Sequence, residues 1–395
     1  MAGNETVVRL KIKEGRVLEG SPWIYRGQFD APHGDVTPGR VVTVTDRTGH
    51  FVGRGFYNPH SVIQVRLLSR RKDEVIDEGW FSRKVAEAIA SRTLWVGARD
   101  AYRVVNSEAD GLPGLIVDKY GPMLVVQVLS MGLGAFMSPI LETLVQHYQP
   151  TGIYERGDVA VRDREGLPRV DQLVFGRLES PVEIHEHGVT MSIDIAGGQK
   201  TGHFLDQYEN RGRVASFAGG VKAFDAFSHT AGFGLVLARH GAEEVTAIDI
   251  DQGATSQAER NAELNQLQDK MRFVTENAFD WLRRQSDLGP QYDLGILDPP
   301  AFTKSRDAVA GALKGYKEIN LRGIKLIRPG GLLVTSSCSY HVSEADFIGV
   351  VGQAAKDARR HVKILEIRGQ APDHPMLPAL PESRYLKCLI LQVGS

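Results

Sequence analysis

Two short stretches hold the residue types from which chemistry could be built. Leu297-Asp298-Pro299-Pro300-Ala301-Phe302 follows the apolar run Gly295-Ile296, and Thr335-Ser336-Ser337-Cys338-Ser339 follows Leu332-Leu333-Val334. Each apolar run reads as a buried strand. A double proline fixes two φ angles and removes two N–H donors, so it ends sheet pairing in a stiff, extended turn. Asp298 is then held at the C-terminal end of a strand, at the edge where open α/β sheets bind ligands. The next strand delivers Cys338 to the same edge. A thiolate there can add to carbon 6 of a cytosine and make carbon 5 nucleophilic enough to take a methyl group, while Asp298 hydrogen-bonds the amine and ring nitrogen. The competing reading packs Cys338 as a small hydrophobe; its polar neighbours Ser336, Ser337 and Ser339 favour chemistry. Cys388, in mid-strand between Lys387 and Leu389, belongs to a core.

A second set of residues suits a nucleotide-like ligand. Asp225, Asp249 and Asp298 each end a predicted strand, and Phe227, Ser228, Thr230 and Gly232 fall at or in the loop after the first of them. Gly232-Phe233-Gly234 lets backbone approach a ligand closely, and Asp249 can accept from both ribose hydroxyls. The run from Gly232 to Ala238 also fits a dinucleotide fingerprint, but that motif needs its tight turn directly after the strand, and Ser228 to Gly232 intervene. S-Adenosylmethionine fits better than NAD, having no pyrophosphate to cradle and needing acids for its amino group and ribose. Asn277, ending the third strand, either accepts from the adenine amine or serves its own turn. His185-Glu186-His187 would put two imidazoles on one strand face, and Cys338-Ser339-Tyr340-His341 has a short metal-like spacing. Neither has the partner pair a zinc site requires, so no metal is expected and His341 is assigned to the substrate pocket.

The elements that must position these groups follow from the rhythm of the chain. Its 395 residues imply two or three domains. Short β runs cut by Gly and Pro, such as Val41-Val42-Thr43-Val44 and the alternating stretch from Ser61 to Leu68, predict a small β-barrel over 1–72. Its last strand runs into Arg70-Arg71-Lys72, either a solvated strand end or a patch that contacts RNA backbone. Residues 73–98 predict a linker helix with Val85, Ile89 and Leu94 apolar, and 99–181 a central α+β domain. From 182 a hairpin and then alternating strands and helices predict a parallel sheet to the C-terminus. Formal net charge is −1, so any nucleic-acid surface must be local. No signal peptide and no membrane span are expected, and two cysteines suit a reducing cytoplasm.

At these residues the chain resembles the RlmI-type class I methyltransferases, which make 5-methylcytosine in 23S ribosomal RNA. The motifs are Gly198-Gln199-Lys200-Thr201-Gly202-His203-Phe204-Leu205-Asp206-Gln207, Asp225-Ala226-Phe227-Ser228, Leu297-Asp298-Pro299-Pro300-Ala301-Phe302 and Ser336-Ser337-Cys338-Ser339-Tyr340-His341. The stretch from Glu108 to Asp118 is similar to the family's middle domain. The resemblance implies an N-terminal PUA domain, a central α+β domain and a C-terminal Rossmann-like methyltransferase. It implies too that Lys200, Thr201, Gly202 and Phe204 lie beside the cofactor's methionine end, and that members often form homodimers. The PUA assignment favours RNA contact by Arg70, Arg71 and Lys72. His229 and Ala231 depart from the Tyr and Gly expected in the first loop, Asn277 from an Asp, and Tyr208 from an Arg. Ala301 stands where many RNA cytosine methyltransferases carry a second cysteine, so Cys338 would act alone.

The expectation is therefore an S-adenosylmethionine-dependent RNA cytosine carbon-5 methyltransferase acting on 23S rRNA. Cys338 is the expected nucleophile and Asp298 its partner; Pro299, Pro300, Phe302 and His341 surround the base. Two competitors remain: transfer to a guanine or adenine exocyclic amine, which needs no cysteine, and a non-catalytic RNA-binding assembly factor.

Overall fold

The computed structural model describes residues 6–11, 17–32, 36–197, 202–303 and 305–395. It divides into two compact units. The first comprises Met1–Val182, Ile193–His203 and Pro372–Ser383; the second comprises Glu183–Ser192, Phe204–Ala371 and Arg384–Ser395.

The first unit contains two five-stranded sheets. One orders its strands Val7–Arg9, Val41–Thr45, Phe51–Tyr57, Ile63–Ser69 and Trp23–Tyr25. Period-two alternation sends Val65 and Leu67 inward, where they meet Val42, Val44 and Ile24 in one apolar cluster. The other orders Asp171–Gly176, Gly152–Arg156, Met123–Val128, Leu115–Tyr120 and Ala101–Asn106. The helix Glu78–Thr93 starts where the Asp77 side chain accepts from the Trp80 N–H, and it buries Trp80, Phe81, Val85 and Ile89. Leu94, assigned to that apolar face from its spacing, is instead 79% exposed because the helix ends at Thr93.

The second unit is built on a seven-stranded sheet. Its strands are β1 (Lys222–Ala226), β2 (Glu244–Asp249), β3 (Met271–Thr275), β4 (Tyr292–Leu297), β5 (Ile327–Ser337), β6 (Val362–Arg368) and β7 (Lys387–Val393). They lie in the order β3-β2-β1-β4-β5-β7-β6. Pairs among β1 to β5 are parallel, whereas β7 runs antiparallel to both β5 and β6. The spacing of apolar residues predicts β7 as a late strand but gives no account of β6. The helices are α1 (Tyr208–Ala215), α2 (Gly232–Arg239), α3 (Gln252–Leu264), α4 (Ala278–Ser286), α5 (Val309–Leu326) and α6 (Glu344–Ala358).

Central parallel strands are covered on both faces, and β1 and β4 are accordingly almost wholly buried. The glycine within β4 has a packing cause: a Cβ on Gly295 would meet the Phe224 ring at 2.4 Å. Register then aligns the C-terminal ends. Ala226 pairs with Ile248 and Leu297, and Leu297 with Thr335. Asp225, Asp249, Asp298 and Cys338 thus share one sheet edge, at the point where the strand order reverses between β1 and β4.

Candidate active site

The loop after β1 is wound through strained backbone. Phe227, His229 and Ala231 take φ of 63°, 50° and 59°, a region costly for side chains other than glycine. Hydrogen bonds hold it there: Ser228 N–H donates to the Ile248 carbonyl at 3.0 Å and His229 N–H to Asp249 Oδ2 at 2.8 Å. The other Asp249 oxygen accepts from Asp251 N–H at 2.9 Å. Asp225 is fully buried, and its Oδ2 accepts from Gly234 N–H at 2.9 Å, in the first turn of α2, where a helix favours negative charge. Its Oδ1 is buried with no hydrogen-bond partner among the described residues. Burial, opposed by the Gly234 bond and reinforced by the charges of Asp298 and Asp249, pushes the Asp225 carboxyl up to about 7. A buried, half-satisfied acid facing two more acids calls for a cationic partner. The sulfonium and ammonium of S-adenosylmethionine supply that charge, so these residues fit the cofactor.

Asp298 follows β4 and is half-buried; its N–H donates to the Ala226 carbonyl at 3.3 Å. Gln207 Nε2 donates to Asp298 Oδ1 at 2.8 Å and to Ser336 Oγ at 3.3 Å. Asn210 Nδ2 donates to Gln207 Oε1 at 2.6 Å, and Arg368 Nε donates to Asn210 Oδ1 at 2.9 Å. The acid is therefore oriented by a relay that ends in a guanidinium. Gln207 sits in a motif singled out from sequence, yet its role was not legible, because the bond to Asp298 spans a separation of 91 residues.

Cys338 is half-buried just beyond β5, with Sγ 3.8 Å from the Pro299 carbonyl. The turn that fixes Asp298 and the thiol are thus in contact. Around them Ser336, Ser337 and Ser339 are buried, and the Tyr316 hydroxyl lies 2.9 Å from Ser339 Oγ. Lys387, which opens β7, was not singled out from sequence either; it is buried, and its Nζ donates to the Ser339 carbonyl at 2.7 Å. Cys388 is fully buried, and burial raises its thiol to about 12. Tyr340, 59% exposed, stacks on Tyr385 with ring centres 5.4 Å apart.

Other sequence-named residues fall in varied places. Lys200 and Thr201 lie outside the described residues. Gly202, in the first unit, takes φ of +123°, a conformation that side chains rarely adopt. In the second unit, Phe204 meets the His229 ring edge-on at 5.1 Å, Thr230 is buried, and Gly232 opens α2. Asn277 is exposed and caps α4, its side-chain oxygen accepting from Phe279 N–H at 2.9 Å. Phe302 packs among Phe227, Phe279 and Tyr316, partly buried against the core of the second unit. Pro299 is buried, while Pro300 and His341 are exposed. His187 is not on a strand face with His185; it takes φ of 46° in the hairpin turn, and its Nε2 lies 2.9 Å from the Tyr208 carbonyl. Between them Glu186 is buried against the Arg211 guanidinium. In the first unit, Arg70 donates to the Val17 and Ser21 carbonyls at 2.7 and 2.8 Å, Arg71 pairs with Asp73 at 2.9 Å, and Lys72 is exposed.

A sheet of this order with acids at the ends of β1, β2 and β4 defines an S-adenosylmethionine-dependent methyltransferase, and comparison with known proteins agrees. Residues 169–391 match the model of the S-adenosylmethionine-dependent methyltransferase family, and residues 8–70 match that of a PUA-like domain. The chain belongs to the family of proteins named ribosomal RNA large subunit methyltransferase I. The relative of that name from Shewanella frigidimarina is 38% identical over 394 residues, covering 98% of this chain and 99% of its own. The one from Tolumonas auensis is 38% identical over 392 residues, covering 98% and 99%. Among solved structures, that of SMU.776 complexed with SAH matches the fold with a TM-score of 0.84 at 20% identity, over 98% of this chain and 99% of that one.

Proposed function

We propose that this chain methylates carbon 5 of a cytosine in ribosomal RNA, 23S rRNA by the resemblance of its motifs, through a covalent adduct with Cys338. The observation that carries the reading is the contact of Cys338 Sγ with the Pro299 carbonyl, which puts a thiol beside the acid that an Asp-Pro-Pro turn presents. The relatives' shared name supports ribosomal RNA as the substrate. An amine methyltransferase has no use for that thiol.

In this reading S-adenosylmethionine, when bound, supplies an electrophilic methyl group. Asp225 holds cationic charge, Asp249 the ribose hydroxyls, and the second lone pair of Asn277 Oδ1, beyond its capping bond, the adenine amine. Phe204, Phe227, Ser228, Thr230 and Gly232 form the rest of the cradle. The Cys338 thiolate adds to carbon 6 of the cytosine: an S–C bond forms, and the carbon 5–carbon 6 π pair shifts to carbon 5 and, by conjugation, toward the ring nitrogen. One Asp298 oxygen accepts from the amine and the other, carrying a proton, donates to the ring nitrogen as that charge develops, and Gln207 keeps the carboxyl group turned toward them. Carbon 5 would then bond the methyl group as the methyl's bond to the cofactor sulfur breaks, its electron pair staying on that sulfur as a neutral thioether. After transfer the carbon-5 proton leaves to a base, its electron pair re-forms the double bond, and the S–C bond breaks to return the thiolate. The exposed Tyr340 ring offers a stacking face beside the site.

The test is incubation of the purified chain with S-adenosylmethionine and unmodified 23S rRNA, followed by nucleoside mass spectrometry. The expected product is 5-methylcytosine, lost with Cys338→Ser. Full methylation by Cys338→Ala, or a methylated purine, sinks the reading; cofactor binding without any product would point to an RNA-binding assembly role.

A further inference from the structure

Lys387 is a buried charge close to Cys338 in the chain's fold that the proposed reaction does not use. Its residue is 2% exposed. It opens β7 in register with Ser337, one residue before Cys338. A buried ammonium ordinarily sits against a carboxylate, because an unpaired charge out of water is costly. Lys387 makes no such ion pair among the described residues. Its Nζ donates to two backbone carbonyls, Ser339 at 2.7 Å and Tyr385 at 2.8 Å.

The groups that face it are few. Cys338 is the anion-forming group whose field acts on it most strongly, ahead of the opposed charges of Arg384 and Glu344, which are hydrogen-bonded to each other. From α5, the Tyr316 hydroxyl approaches the same Ser339, and the charge of Cys338 acts on that phenol too. Burial holds the Lys387 ammonium down at about 8, with Cys338 opposing that fall.

We propose that Lys387 is the positioning residue that supplies the positive charge for the Cys338 thiolate, fixing the turn after β5 through the Ser339 carbonyl and favouring the ionised sulfur. The inference rests on Cys338 being the nucleophile of the proposed reaction. A thiolate is needed twice there, as the group that adds to carbon 6 and as the group that leaves it. One fixed ammonium serves both steps, and the thiol's proton departs to solvent before addition.

The experiment measures the rate of iodoacetamide alkylation of Cys338 against pH on the full chain, read by intact mass, with neither RNA nor cofactor present. Cys338→Ser gives the background from buried Cys388. The wild-type midpoint is expected below the ordinary thiol value of about 8.5. In Lys387→Met it should rise by ~1–3 units, the range over which a neighbouring opposite charge acts, so that alkylation at pH 7 slows by about tenfold or more. Lys387→Arg, which keeps the charge, should restore most of the shift. A merely structural lysine would lower the melting temperature and leave the midpoint in place. An unmoved midpoint in folded Lys387→Met overturns the proposal. If that variant does not fold, a wild-type midpoint at or above ~8.5 overturns it alone. Because the assay contains no substrate, a Cys338→Ala enzyme that still methylates would end the nucleophile reading without touching this result.

Discussion

A single buried carboxyl lets the proposed cofactor cradle be tested without any substrate. Asp225 sits near 7 instead of the ordinary 3.8, chiefly because it is out of water. Between those values the folded protein holds a proton that the unfolded chain releases. The stability associated with the neutral acid is therefore complete below about pH 4 and is lost as pH rises through about 7. Asp225→Asn removes this titration. Relative to the variant, wild type should lose up to ~1.4 kcal/mol per pH unit across that window, measured by urea unfolding at pH 5, 6, 7 and 8 without cofactor. The same acid should make wild type bind S-adenosylmethionine more tightly at pH 8 than at pH 6, a trend absent in Asp225→Asn. Parallel stability profiles for the two proteins would mean that Asp225 is solvated, and the cationic-cradle argument would fall with it. Its place at a strand end was legible in the sequence. Its unpaired oxygen was not, because that depends on how Gly234, nine residues on, turns its N–H back onto the strand.

At the scale of elements, sequence reading succeeds where burial is complete and falters at edges and termini. The apolar runs of β1, β2 and β4 are buried on both faces, and a two-sided core writes itself into composition. The edge strand β6 is mostly exposed, with Ile364, Leu365 and Ile367 at 40%, 48% and 48%, so its pattern resembles a loop as much as a strand. The insertion of β7 between β5 and β6 is a matter of long-range pairing, which no local spacing encodes. Lys387 and Gln207 escaped notice for that reason, since the fold alone brings them to Ser339 and Asp298. Helix ends offer a local test. α6 begins with a capping box, the Ser343 side chain accepting from Asp346 N–H, and ends with exposed Arg359 at φ of 54°. Glycine adopts that left-handed cap without steric cost. Arg359→Gly should therefore stabilise the protein by ~0.5–1 kcal/mol in urea unfolding and leave methylation unchanged. A loss of stability would mean that the Arg359 side chain contributes more than its backbone costs.

Over the whole molecule, charge sets the terms on which a polyanion can be held. A chain of 395 residues with formal net charge −1 has no global attraction for RNA, so affinity must come from a few local cations. The three basic residues after the strand Ile63–Ser69 of the PUA-like domain are not equivalent. Arg70 is tied to two backbone carbonyls, and burial lowers its pKa. Arg71 pairs with Asp73 on an open surface, where side chains 69% and 72% exposed gain little from the ion pair and can exchange it for a phosphate. Lys72 is exposed. Removing a cation that neutralises one phosphate should reduce the slope of log affinity against log salt by ~1. Arg71→Ala and Lys72→Ala are therefore expected each to flatten that slope by about 1 for a 23S rRNA fragment, with the melting temperature unchanged. Arg70→Ala should do the reverse, lowering the melting temperature and leaving the slope near wild type. Filter binding from 50 to 200 mM salt, a range over which phosphate-dominated complexes weaken by orders of magnitude, separates the two behaviours. Should Arg70→Ala alone flatten the slope in a protein that melts normally, the phosphate is held by Arg70 and its carbonyl bonds give way when RNA arrives.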